Sequence, residues 1–70
     1  MNDFCTYLIR LRGQLDEEDI NARSPIHMVL KRVDPAATLF MVFTDQSGLI
    51  GLMRYLHGLG VVLLSINRDQ

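Results

Sequence analysis

From Cys5 the chain alternates. Cys5, Tyr7, Ile9, Leu11 and Leu15 fall on one side, and Thr6, Arg10, Arg12 and Gln14 on the other, with Leu8 alone breaking the polar side. This pattern predicts a strand with one buried and one wet face. Gly13 near its end marks a bulge or a close approach of backbone. Asp16 to Arg23 is polar apart from Ile20. It is long enough for a single helical turn, with its acids where the helix dipole favours them, and Ser24-Pro25 closes it. Ile26 to Val33 reads as a second strand and Thr38 to Thr44 as a third. Between them, Asp34-Pro35-Ala36-Ala37 has aspartate and proline where a type I turn wants them, so the two strands form a hairpin. The third strand is apolar on both faces, with Leu39, Met41 and Phe43 on one and Phe40 and Val42 on the other. Such a strand belongs inside a sheet, covered on both sides.

The period then changes. Asp45 can cap a helix with its carboxylate. Leu49, Leu52, Met53, Leu56 and Leu59 share one arc at helical spacing, while Ile50, Arg54 and His57 lie opposite. Gly60 ends the helix in the left-handed conformation that glycine adopts cheaply, and Val61 to Asn67 reads as a fourth strand. The order defines an α+β domain spanning residues 1–70. We expect a ferredoxin-like β(α)ββαβ sandwich, or a reduced form of one with a single main helix (about 45–59) on a four-stranded sheet. The third and fourth strands should run parallel through a right-handed crossover. The leucine stripe is expected over the face that includes Met41 or its neighbours, with Leu64 and Ile66, or Leu63, beneath it. That would leave Phe40, Val42 and Leu8 bare.

Composition makes the bare face matter. The chain has 70 residues, of which 49% are hydrophobic, and a mean hydropathy of +0.15. A domain this small buries only about 60% of its unfolded surface, so the surplus apolar area predicts a partner, and we expect a homo-oligomer, a dimer through the uncovered sheet face or an edge. The net charge of -1 gives no general pull toward nucleic acid or anionic membrane. Cys5, the single cysteine, permits no intramolecular disulfide and suits a reducing cytoplasm, the expected location. The first residues lack the basic and apolar regions of a secretion signal, and no apolar run approaches the roughly 20 residues of a membrane helix.

The stretch Thr44 to Ile66 resembles the opening β-α-β of ACT domains. It has the acid (Asp45), the glycine that starts the helix (Gly48), apolar residues at Leu49, Ile50 and Leu56, the glycine stop (Gly60), and an apolar strand ending in Ser65-Ile66. Ser47 stands where that family has proline, and the motif lies in the second half of this chain rather than at its start. The resemblance implies a ferredoxin-like module that binds amino acids, with a ligand site at Asp45, Gln46, Ser47 and Gly48. Over nearly its whole length the chain is also similar to short bacterial proteins of unknown function. That similarity rests on R-x-R-G-x-L at Arg10 to Leu15, D-Q-x-x-L-x-G-L with its glycine stop from Asp45 to Gly60, and L-L-S-I-x-R at Leu63 to Arg68. It implies the fold and carries no activity.

No catalytic or metal-binding motif stands out, so neither an enzyme nor a cofactor is expected. The run Asp16, Glu17, Glu18, Asp19 lacks the spaced ligands and central glycine of a calcium loop and reads as a solvated turn. His27 and His57 have no second ligand at metal spacing, and Cys5 on the apolar side of a strand reads as packing. Arg10 and Arg12, on the wet face of the first strand, are the candidate anion-binding pair. Lys31, Arg32 and Arg68 could join them to hold a phosphate, a carboxylate or an RNA backbone. For RNA the stacking aromatic would be Phe40. The ordinary alternative is that these charges guard strand edges against aggregation, and nucleic acid is not the expected partner.

Overall fold

A computed structural model describes residues 3–69. Its elements are β1 (Cys5–Arg12), α1 (Glu17–Asn21), β2 (Val29–Val33), β3 (Ala37–Thr44), α2 (Gln46–Gly58) and β4 (Leu63–Asp69). The strands form one sheet in the order β2-β3-β1-β4, with every neighbouring pair antiparallel. β3 and β4 both oppose β1, so they run parallel to each other with β1 between them. The crossover through α2 therefore skips a strand, and β3 is interior, as its two apolar faces predict.

Register decides which face the helices cover. β1 pairs with β3 so that Tyr7 faces Val42, Ile9 faces Phe40 and Leu11 faces Thr38. On the other side Ile9 faces Ile66 of β4. Ile9, Leu11, Phe40 and Val42 join Ile20 of α1, Met28, and Leu52 and Leu56 of α2 in a single buried cluster. Each such side chain contributes about 1.5–3 kcal/mol relative to exposure. The expectation that α2 lies over Met41 and leaves Phe40 and Val42 bare is therefore reversed. Phe40 is completely buried, and Met41 lies on the face without helices. The alternation of β1 is the cause. Arg10 and Arg12 must remain wet, so Tyr7, Ile9 and Leu11 turn toward the helices, and pairing carries Phe40 and Val42 with them.

Element ends shift for local reasons. β1 stops at Arg12 because Gly13 takes φ +90°, and its N–H donates to Ala36 O at 2.8 Å. Thr38 fastens this turn. Its buried hydroxyl donates to Gly13 O (2.7 Å) and accepts from Leu15 N (2.9 Å). A hairpin turn forms at Asp34-Pro35-Ala36, with Asp34 Oδ1 accepting from Ala36 N (2.9 Å) and Ala37 N (2.8 Å), and β3 starts at Ala37, one residue earlier than expected. β2 begins at Val29 rather than Ile26, because the preceding backbone is held by side chains. The Ser24 hydroxyl donates to Ile26 O (2.6 Å), and the Asn21 amide grips Met28 at both N and O (2.8 Å each).

The polar segment after β1 does form a short helix, so the first helix is reduced but present. Asp16 caps α1 by accepting from Asp19 N (3.0 Å), and Ile20 anchors it in the core. Glu17 Oε2 also accepts from Leu30 N (3.0 Å). Through Glu17 and Asn21, α1 thus satisfies part of the outer edge of β2.

α2 is capped as the sequence suggests. Asp45 Oδ1 accepts from Gly48 N at 2.8 Å. At the other end Gly60 has φ +79°, Gly60 N donates to His57 O (3.0 Å), and Val61 N donates to Leu56 O (3.1 Å). This is the two-bond glycine stop of a Schellman motif. The stripe differs at its end. Leu59 follows the last helical residue and is 52% exposed, and Tyr55 packs on the core instead. The Tyr55 hydroxyl donates to Ile20 O at 2.7 Å, tying α2 to α1. Arg54, His57 and Ile50 face solvent as expected. With Val61 and Val62 taken up by the helix stop and the connection, β4 runs over Leu63–Asp69 and includes Arg68.

A glycine is required at position 48. A Cβ there would collide with the Thr44 hydroxyl, and Thr44 is buried. Gly48→Ala should destabilise the domain by about 1–3 kcal/mol, the range for overpacking, despite alanine's better helix propensity. Chemical denaturation reads this directly, and a stabilised variant would show that Thr44 yields freely.

Candidate functional site

Both helices pack on one side of the sheet, so the other side is open. Pairing arranges it in rows. Leu8 of β1 faces Met41 of β3, which faces Val29 of β2. In the next row Arg10 faces Leu39, which faces Arg32. Arg12 faces Ala37 one row further on, and Thr6 faces Phe43 at the opposite end. Phe43 is 63% exposed, and its ring leans on Phe4 with centroids 5.4 Å apart. The face therefore has an aliphatic centre, an aromatic end and an arginine end. Leu8, Leu39 and Met41 stay partly exposed because no element of the described chain covers them.

Arg10 and Arg12 lie on the wet face as the alternation of β1 predicts, and Arg32 joins Arg10 across Leu39. Lys31 falls at the register shift of β2 and has no place in a row. Arg68 is brought elsewhere. It faces Tyr7 on the helix side, in a hollow with Asp3, Cys5, Gln46 and Leu49. The N–H groups of Ala36 and Ala37 hold the Asp34 carboxyl below the usual range, and the attraction of Arg10 and Arg32 adds to this. These two guanidiniums thus already feel an intramolecular anion. Beside Arg68, the neighbouring Cys5 side chain and then desolvation push the Tyr7 phenol above its ordinary value.

Phe40 cannot stack a base, because it is the centre of the core. The exposed aromatic of β3 is Phe43, which the apolar run of β3 hid. Its signal lay in the alternation of β1 carried across by pairing. Asp45, Gln46, Ser47 and Gly48 sit together at the start of α2, where Asp3, Asp45, Gln46 and Ser47 line a shallow hollow of about 200 Å³. One oxygen of Asp45 is engaged by Gly48 N, and the space beside Gly48 is filled by Thr44. His27 lies on the approach to β2 and His57 in the last turn of α2. Among the described residues, no three histidine, cysteine or acidic side chains gather as metal ligands. Within the same residues, no helix is long and apolar enough to cross a membrane.

These features define a small α+β domain whose antiparallel sheet carries two helices on one face and, on the other, an uncovered apolar patch with arginines at one end. The chain belongs to the family described as a domain of unknown function (DUF8691), which matches residues 6–67. No curated protein and no solved structure matches it.

Proposed function

We propose that this is a non-enzymatic, self-associating domain of the ferredoxin-like class, working in the cytoplasm, in which a second copy covers the open face of the sheet. The strand order, read as β4-β1-β3-β2 with two split β-α-β halves, supports the class. The observation that carries the functional reading is the patch of Leu8, Val29, Leu39, Met41 and Phe43 on one side of a sheet whose other side holds the buried core. Aliphatic and aromatic side chains with arginines at one end are the composition of a contact surface, and they offer no group poised for proton or group transfer. Two copies meeting face to face would bury the patch, in the manner of a sheet sandwich.

Met41→Arg places a charge at the centre of the patch without touching the core. It should halve the mass measured by sedimentation equilibrium while the far-ultraviolet spectrum is unchanged. A monomeric native chain at micromolar concentration, or a mass that ignores this substitution, counts against the reading.

A second reading, single-stranded RNA on the same face, draws on Phe43 and the three arginines. Sheets that read RNA stack two or three bases on aromatics, whereas the central rows here are aliphatic, and the net charge of -1 gives no long-range attraction. Binding of labelled RNA at low salt, abolished by Phe43→Ala, would move the balance to this reading. The ACT-like alternative places an amino acid at Asp45 to Gly48. It predicts a rise in melting temperature with that amino acid at millimolar concentration.

A further inference from the structure

The two edges of the sheet are treated differently. β2 is five residues long, is broken by a register shift, has Leu30 N on its outer edge taken by the Glu17 side chain, and is preceded by Met28, whose backbone the Asn21 side chain holds. β4 is seven residues long and mostly exposed. Among the described residues, no side chain hydrogen-bonds to its backbone, and its outer side faces no strand. Folded proteins shield long edges with charge, proline, bulges or a covering element. This chain covers one edge with a helix, while β4 is covered by no element of the described chain and carries only a register shift at Leu64 and the charges of Arg68 and Asp69. The bare strand has a regular half. The shift opposite Arg10 and Leu11 lies at Leu64, and Ser65 to Asp69 pairs in unbroken register with β1.

We propose that β4 pairs antiparallel with β4 of a second copy about a two-fold axis at Asn67, extending the sheet from four strands to eight. The regular half of the strand is complementary to itself in this register. Residues opposite each other in a continuous sheet must share a face. Ser65, Asn67 and Asp69 share the open face with Arg10, Leu8 and Thr6, while Ile66 and Arg68 share the helix face. Centring on Asn67 sets Ser65 against the second copy's Asp69, Ile66 against its Arg68, and the two Asn67 amides against each other. Hydroxyl meets carboxylate twice, amide meets amide once, Ile66 meets the stem of Arg68 twice, and no like charges stand opposite, the arrangement that cross-strand pairs penalise. The incoming Asp69 also lies two strand spacings, about 10 Å, from the Arg10 backbone on the same face, within the attraction of its guanidinium. Shifting the axis by one residue toward Leu64 brings the bulge into the ladder.

This contact is independent of the face-to-face one. Its axis stands perpendicular to the sheet, whereas the axis of a face-to-face pair lies within the plane of packing. Where the two axes meet, combining them closes a tetramer of dihedral symmetry.

The test is a charge swap on the axis. Asn67→Lys and Asn67→Asp should each halve the native mass in sedimentation equilibrium, because like charges then meet at the axis. An equimolar mixture of the two should regain the native mass. In the native chain, amide exchange within Ser65 to Asp69 should slow as concentration rises. A native mass lowered by Met41→Arg but untouched by either Asn67 variant overturns the edge contact and leaves the face contact standing. A mass lowered by the Asn67 variants but not by Met41→Arg does the reverse. Variants whose mixture stays dissociated, or β4 exchange independent of concentration, also overturn the proposal.

Discussion

Replacing Phe40 by alanine should cost about 3–5 kcal/mol, the range for a buried phenylalanine, and so remove most of the stability of the domain. Phe40 is fully buried and pairs with Ile9 and Leu30 across β3. Both helices close over it through Ile20, Leu52 and Leu56. At about 0.05–0.15 kcal/mol per residue, a chain of this length has only about 3.5–10 kcal/mol in all. The informative control is three residues away on the same strand. Phe43→Ala should change monomer stability by about 0.5 kcal/mol or less, since its ring is mostly in solvent and leans on the exposed Phe4. Urea titrations of the two variants read the polarity of the sheet. Equal losses would mean that neither face is bare.

Leu56→Ala should cost about 2–5 kcal/mol, as for other buried leucines, while Arg54→Ala should stay within about 0.5 kcal/mol. Leu56 serves the fold twice. Its side chain is 2% exposed within the core, and its carbonyl accepts Val61 N in the glycine stop that turns the chain toward β4. The alanine variant keeps the carbonyl and loses the packing, so the midpoint should fall while the end of the helix persists. Arg54 is exposed on the far side of α2. A larger loss for Arg54→Ala than for Leu56→Ala would require α2 to be rotated about its axis.

Much of this architecture could be read from periodicity. The alternation of β1, the Asp34-Pro35 turn, the Asp45 cap and the Gly60 stop are local devices, and each appears where the residues place it. The orientation of β3 could not be read from β3, because Leu39, Phe40, Met41, Val42 and Phe43 suit either face. Only pairing with β1, whose arginines cannot be buried, resolves it. The place of Tyr55 was hidden for a related reason. Its hydroxyl needs the Ile20 carbonyl on an element 35 residues earlier, and no spacing rule reaches that far. The role of Asn21 was equally silent, because a side-chain amide that mimics a neighbouring strand leaves no periodic trace. The arginines of the open face were legible one strand at a time, but their grouping was not. Arg10 and Arg32 meet across Leu39, whereas Arg68 turns to the opposite face.

The grip of Asn21 and Glu17 on β2 bears on how far growth can proceed. A sheet with two free edges can recruit a copy at each end, and every addition presents a fresh edge, so the product is an unbounded ribbon. A sheet with one edge stoppered can join once and then has nothing left to offer. If copies pair through β4 as proposed, two side chains on a five-residue helix would separate a finite particle from a filament. Their loss would matter less to the stability of one molecule than to the solubility of many.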